Sequence, residues 1–270
     1  MPELNKDTQL CMSLAGRPSN FGTRFHNRLY ELLGLNYVYK AFTTSDLPAA
    51  IGGVRALGIR GCAVSMPFKE AVIPLLDELD ASAKAIGSVN TIVNDNGFLR
   101  AYNTDYLAVG QLLERHLLEQ GGSVVVRGSG GMAKAVASAF RDAGFARGTV
   151  VARNRAAGEA LAQACGWVWA AGSVPADILV NVTPIGMAGS PDEQALAFDP
   201  DLIAQAHTVF DVVALPPETP LVREARQQSK NVITGLDVIA LQALEQFVLY
   251  TGVTPSDEQV REAVEHARRS

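Results

Sequence analysis

The sequence predicts a two-domain α/β protein, and three observations predict it. Apolar runs of strand length alternate with segments of helical spacing along almost the whole chain. A cluster of glycines, Gly128, Gly130 and Gly131, separates a strand pattern from a helix pattern. From Gly122 the texture becomes a regular β–α repeat, with strands of Val, Ile and Leu that scarcely alternate with polar residues. That is the composition of a parallel sheet covered by helices on both faces.

Taken in order, residues 9–14, 37–43 and 61–66 read as short buried strands. Residues 25–33, 45–57 and 68–79 have helical spacing, with Ser45 and Asp46 as candidate caps. A strand at 89–93, the turn Asn94-Asp95-Asn96-Gly97 and a strand at 98–102 read as a hairpin. Asn103-Thr104-Asp105 then opens a helix to about residue 118. In the second texture, strands fall at 123–127, 149–152, 178–182, 209–213 and 231–233, with a weaker one at 167–169. Helices fit 132–143, 156–164 and 220–228, and two more, 236–250 and 256–268, end the chain. There is no internal repeat and no low-complexity segment.

The 270 residues are comfortable for two domains, and 48 % apolar against 19 % charged residues supports packed cores rather than disorder. A net charge of −5 argues against a nucleic-acid partner, which needs a clustered basic face. His266, Arg268 and Arg269 suit a solvated helix C-terminus instead. Residues 1–8 lack the apolar stretch of a signal peptide, and no apolar run is long enough to span a membrane. Cys11, Cys62 and Cys165 are widely spaced and read as small buried hydrophobes, and the four histidines, His26, His116, His207 and His266, are scattered. A cytoplasmic protein with no metal site and no membrane partner is expected.

Gly128-Ser129-Gly130-Gly131-Met132-Ala133 fits G-x-G-x-x-G/A between a strand and a helix, the context of a Rossmann dinucleotide loop. Gly128 permits the tight turn, Gly130 a close approach to pyrophosphate, and Ala133 close packing of helix on sheet. An NAD site would place an acid about 20 residues on. Here the next strand runs into Arg153-Asn154-Arg155. A guanidinium can grip a 2′-phosphate and stack on adenine, so NADP is the expected cofactor, with NAD as the weaker alternative.

Ser65-Met66-Pro67-Phe68-Lys69-Glu70 places a lysine in the first turn of the helix read at 68–79. The helix dipole there disfavours the charged ammonium, as a general acid/base lysine requires. Asp105, also in a first turn, can hold such a lysine by a charge-assisted hydrogen bond. Two unrelated surface charges would give the same pattern.

Several of these segments together resemble the shikimate dehydrogenase superfamily over nearly the whole chain. Phe25-His26-Asn27, Pro67-Phe68-Lys69-Glu70, Gly87-Ser88-Val89-Asn90-Thr91, Asn103-Thr104-Asp105, the 128–133 loop and Asn154-Arg155 stand in the family's order and spacing. The resemblance implies that Lys69 and Asp105 are catalytic and that Ser65, Asn90 and Gln242 bind substrate hydroxyls. Gln242 is also an amide on an otherwise apolar helix, where a buried polar group needs a partner. The cofactor set comprises Gly128, Ser129, Gly130, Gly131, Met132, Ala133, Arg153, Asn154 and Arg155, with Thr183, Val212 and Gly235 added by the resemblance.

There are departures. The family's Ser-x-Ser carboxylate grip appears two residues short as Ser19-Asn20-Phe21-Gly22-Thr23, which leaves Asn20, Gly22 and Thr23 as the substrate-binding candidates. Ala63 stands where the family has an asparagine and Ala214 where many members have a tyrosine. The loop after Arg155 lacks an extra threonine and a second arginine, which weakens the expected 2′-phosphate discrimination. This pattern is similar to the divergent shikimate dehydrogenase-like branch.

The expected architecture is a Rossmann NADP-binding domain at 104–234 and an α/β catalytic domain at 1–103, joined by the helices of 235–270, with the active site in the cleft. The implied reaction is reversible NADP-linked oxidation of the ring hydroxyl of shikimate to 3-dehydroshikimate, a step of the shikimate pathway. The partner is then a small hydroxy acid, and the protein a monomer or homodimer. Quinate or a related polyol acid is the alternative substrate. A cofactor-binding regulator without turnover and a folate-type methylene dehydrogenase are readings of other classes. Retention of Lys69 and Asp105 speaks against the regulator, and the Asn90 and Asn103-Thr104-Asp105 segments against the folate enzyme.

Overall fold

The computed structural model describes residues 4–269 and resolves the chain into two compact units. One comprises the residues up to Thr104 together with those from Ala240 onward; the other is Asp105–Ile239.

The first unit is built on a six-stranded mixed sheet. Its elements begin β1 (Gln9–Leu14), α1 (Phe21–Leu32), β2 (Tyr37–Phe42), α2 (Leu47–Ala56), β3 (Gly61–Val64) and α3 (Phe68–Ala71). A 3-10 turn at Ile73–Leu75 follows, then β4 (Glu78–Leu79), α4 (Ala81–Lys84), β5 (Thr91–Asp95) and β6 (Phe98–Tyr102). The strand order is β2-β1-β3-β5-β6-β4. The β5–β6 pair is the expected antiparallel hairpin, and Asn94 Oδ1 accepts the Gly97 N–H at 2.7 Å to close its turn. Asp46, not Ser45, caps α2, accepting the Ala49 N–H at 3.0 Å.

The helix expected over 68–79 does not form as one piece. It breaks into α3, the 3-10 turn and β4, and β4 pairs in parallel with β6. Pro74 has no N–H to continue an α-helical ladder. Asp77 fixes the exit instead, accepting the Leu99 N–H at 2.7 Å and an Arg55 N–H at 2.6 Å. The short α4 has no counterpart in the sequence reading; Asp80 caps it through the Ser82 N–H at 2.9 Å.

The chain then runs through α5 (Thr104–Arg115), β7 (Ser123–Arg127), α6 (Gly131–Asp142), β8 (Arg147–Val151), α7 (Arg155–Cys165) and β9 (Val168–Ala170). It continues with β10 (Ile178–Asn181), α8 (Pro200–Gln205), β11 (Thr208–Asp211), α9 (Pro220–Gln227) and β12 (Asn231–Thr234). These six strands form a sheet in the order β12-β11-β10-β7-β8-β9, every pair parallel. Read from its other edge this is the doubly wound dinucleotide-binding order, which reverses direction between β7 and β10. Of its helices, only the single-turn-and-a-half α8 was not expected from the sequence.

The last two helices are α10 (Gly235–Thr251) and α11 (Asp257–Arg268). Ser256 and Gln259 form a capping box on α11. The mixed sheet is buried on both faces. Met12, Leu14, Cys62 and Ile92 face a core with Ile51 and Val54 of α2, while Cys11 and Val93 face one with α1, α10 and α11. His26 lies in that second core, wholly buried, with its ring stacked 4.4 Å from Tyr39 and edge-on to Phe25. Neither ring nitrogen meets a partner in hydrogen-bonding geometry. Burial pulls its pKa down to about 3, with the neighbouring Gln246 amide opposing. The three cysteines are all buried.

Candidate active site

In the first unit the site is organised by the end of β3. Ser65 donates its N–H to Leu14 O at 2.9 Å, and its carbonyl accepts the Phe68 N–H at 2.9 Å, so the chain turns at once into α3. Lys69 stands on that single helical turn. Lys69 is thus not at the head of the long helix expected from the sequence, and four residues align too few peptide dipoles to act on it. Its carbonyl accepts the Val89 N–H at 2.9 Å, and Val64 N–H donates to Asn90 O at 2.8 Å. Ser65, Lys69 and Asn90 are brought together by these bonds.

Asn90 is a buried hub. Its Oδ1 accepts the Thr104 N–H at 2.8 Å, the Thr91 hydroxyl at 2.9 Å and the Thr104 hydroxyl at 3.2 Å. The Thr104 hydroxyl also has Gln242 Oε1 in reach at 3.4 Å. One turn along α10, Gln246 donates to the Thr91 hydroxyl at 3.1 Å. Gln246 and Thr91 were not anticipated. The signal was a second amide four residues after Gln242 on the same apolar helix. Asp105 follows Thr104 in the first turn of α5, as read from the sequence.

At the start of α1, Asn20 occupies the N-cap position, but its exposed side chain caps nothing. The position a Cβ would take on Gly22 lies 3.5 Å from the Tyr39 hydroxyl. The Thr23 hydroxyl is buried and has no hydrogen-bond partner.

In the second unit the glycine loop lies where the strand order reverses. Gly128 has φ +132°, and a Cβ there would fall 2.7 Å from Val182 Cγ2, so only glycine fits. Its N–H donates to Val151 O at 2.8 Å and ties the loop to the end of β8. Gly130 is the N-cap of α6, and no side chain caps that helix. The space over Gly130 and Gly131 is open, whereas Ala133 is fully buried against the sheet. Ser129 and Met132 are half-buried beside them. An uncapped helix N-terminus facing open space suits a pyrophosphate.

Beyond β8, Arg153 and Arg155 are exposed. Asn154 caps α7 through the Ala157 N–H at 3.1 Å. Arg155 pairs with Glu159 and lies over Trp169, 5.1 Å from the ring centroid. Thr183, Val212 and Gly235 stand at the ends of the adjacent strands β10, β11 and β12. A Cβ on Gly235 would fall 2.4 Å from Val212 O. Asn181 Oδ1 accepts the Thr183 hydroxyl at 2.6 Å, and its amide donates to Asp211 Oδ1 at 3.0 Å.

Asp211 was not anticipated. It is fully buried and also accepts the Val213 N–H at 3.1 Å and the Thr219 hydroxyl at 2.6 Å. Burial pushes its pKa up to about 6 in spite of these donors. Among the described residues, no three His, Cys, Asp or Glu side chains come together to hold a metal, and no helix is long and apolar enough to cross a membrane.

The family model for the shikimate dehydrogenase substrate binding domain matches residues 21–92. The chain is 59 % identical over 267 residues to the shikimate dehydrogenase-like protein of Haemophilus influenzae, covering 98 % of each chain. It is 36 % identical to the shikimate dehydrogenase (NADP(+)) of Moorella thermoacetica, over 94 % of this chain and 93 % of that one. Among solved structures it superposes with a TM-score of 0.85, at 31 % identity, on the Thermus thermophilus shikimate 5-dehydrogenase in complex with NADP(H) and shikimate, covering 96 % of this chain and 99 % of that one. With the glycine loop, the arginines after β8 and the Asn90 hub in place, the conclusion is that this chain belongs to the shikimate dehydrogenase family.

Proposed function

We propose that the protein is an NADP-dependent oxidoreductase that interconverts shikimate and 3-dehydroshikimate. The observation that carries the reading is the Asn90 hub. It fixes Thr104 immediately before Asp105 and, through Val64 and Val89, the segment that bears Ser65 and Lys69. The uncapped start of α6 and the open space over Gly130 and Gly131 fit the cofactor's pyrophosphate, and Arg153 and Arg155 its 2′-phosphate. Thr183, Val212 and Gly235 are assigned to the rest of the cofactor.

NADP, when bound, supplies the hydride acceptor. Lys69 is assigned as general base: its amine takes the proton of the ring hydroxyl as the C–H bond breaks, and in reduction it returns that proton to the oxygen. Asp105 is assigned with Lys69 as the second catalytic residue, a carboxylate of the kind that stabilises an ammonium. The Lys69 ammonium in turn stabilises negative charge on the ketone oxygen during reduction. Asn90 Nδ2, which none of the bonds above uses, and the amide of Gln242 are assigned to the remaining ring hydroxyls. Asn20, with its side chain free of capping, is assigned to the substrate carboxylate.

The Asn20, Gly22 and Thr23 arrangement in place of paired serines favours a second reading, in which quinate or a related polyol acid is the better substrate. The test is NADPH formation with shikimate, with quinate and without either, for wild type and Lys69→Ala. Turnover with shikimate that disappears in the variant supports the proposal. A preference for quinate supports the second reading, and wild-type rates in Lys69→Ala overturn the mechanism.

A further inference from the structure

The end of β8 carries more than the glycine loop and its following arginines require. Trp169, on the edge strand β9, is held from two sides. Its indole N–H donates to Ala152 O at 3.3 Å. Its ring lies against the first turns of α7 at Gly158, where a Cβ would fall 2.5 Å from Cδ1. On this fixed ring rests the Arg155 guanidinium, 5.1 Å from the centroid, and Glu159 Oε1 takes its Nε at 2.8 Å. The Arg155 side chain is 72 % exposed, and no described bond uses its two terminal nitrogens. An exposed arginine ordinarily samples many rotamers. Here a ring lies beneath the guanidinium and a carboxylate takes its Nε, while most of the side chain stays open to solvent.

We infer that Trp169 is a specificity-determining residue for a nucleotide bearing a 2′-phosphate. It presents Arg155 as a pre-oriented plate whose free edge grips the phosphate in bidentate fashion and whose outer face stacks on the purine. The inference rests on the NADP reading and deepens it. The loop lacks the second arginine of the family pattern, so the support that Trp169 gives Arg155 carries more of the discrimination. Without Trp169 the pair of Arg155 with Glu159 remains, but it is an exposed ion pair of the kind that orders little.

The test is direct binding of NADPH and NADH, followed by nicotinamide fluorescence, to wild type, Trp169→Leu, Trp169→Phe and Arg155→Ala. Wild type is expected to favour NADPH. Trp169→Leu should lower the NADPH:NADH affinity ratio by about 3- to 10-fold, the range of a cation–π contact. Trp169→Phe, which keeps a ring, should hold the ratio within about twofold. A ratio unchanged in Trp169→Leu, or lost equally in Trp169→Phe, overturns the inference while leaving the NADP reading intact. A wild type without preference for NADPH overturns both. A second measurement leaves Trp169 untouched: Trp167→Phe makes it the sole tryptophan of the chain. Its emission should shift on saturation with 2′,5′-ADP and not with 5′-AMP, and an emission unmoved by 2′,5′-ADP overturns the inference.

Discussion

The amide oxygen of Asn90 accepts the backbone N–H of Thr104 at 2.8 Å, deep in the first unit. Asn90→Ala would leave that N–H and two threonine hydroxyls without their acceptor. The expected cost is about 2–4 kcal/mol of stability in urea unfolding. Turnover should fall roughly 100-fold, because Thr104 no longer fixes the start of the helix that carries Asp105. Unchanged turnover in a folded Asn90→Ala would remove Asn90 from the site.

Lys69→Met is expected to lower kcat by a factor of about 10² to 10⁴, the contribution of a positioned general base, with little change in KM. The melting temperature should stay close to wild type, since Lys69 is only half-buried on a single turn. A rise in KM with kcat preserved would make Lys69 a binding residue and not the base.

Asp211 is expected to make the second unit gain stability as the solution is acidified. Its folded pKa, about 6, lies above the ordinary 3.8, so the folded state takes up the proton first. The cost of burying the charge is present in full above pH 6 and is relieved as pH falls toward 3.8. Against Asp211→Asn, wild type should gain up to about 3 kcal/mol between neutral pH and pH 4. Tryptophan emission reports this unit, which holds both Trp167 and Trp169. A difference between the two proteins that is flat in pH would show that Asp211 does not titrate there.

His26 acts in the opposite sense in the first unit. Its folded pKa, about 3, lies below the ordinary 6.5, so the unfolded chain binds the proton first. The stability it lends is complete above pH 6.5 and drains away as pH falls toward 3. His26→Phe keeps an aromatic ring in the stack with Tyr39 and removes the titration. Its unfolding should depend less steeply on acid than that of wild type, as followed by far-UV circular dichroism. Equal slopes for the two proteins would count against it.

The parallel sheet could be read strand by strand because β7 and β10 have unbroken apolar centres, Val124-Val125-Val126 and Ile178-Leu179-Val180, and the strand ends fall within two residues of those expected. The stretch after Lys69 could not. Phe68, Val72, Leu75, Leu76 and Leu79 have helical spacing, yet the structure buries that apolar set by wrapping it along a sheet edge. The site divides in the same way. The glycine loop and its arginines are contiguous in sequence and were visible there. The helix-start positions of Lys69 and Asp105 suggested roles for them, but only the resemblance set the pair apart from unrelated surface charges. The Asn90–Thr104–Gln242 bonds join residues 14 and 138 positions apart, and no local pattern encodes such a meeting. Trp169 and Arg155 stand at opposite ends of a helix and its following turn, so spacing alone did not connect them.

The first unit is made from both ends of the chain, and this bears on how it is born. Its second core takes Phe25, Leu29 and Tyr30 from α1 and Phe247, Tyr250, Ala263 and Ala267 from α10 and α11. Arg28 of α1 also pairs with Glu262 of α11. On the ribosome, α1 emerges first and α11 last, so the apolar stripe of α1 waits without its cover while all of residues 105–239 are synthesised. The nucleotide-binding unit, contiguous and encoded between the two halves, can be finished before the other closes. Closure of the first unit therefore waits for α11, and loss of that helix would uncover the apolar stripe of α1.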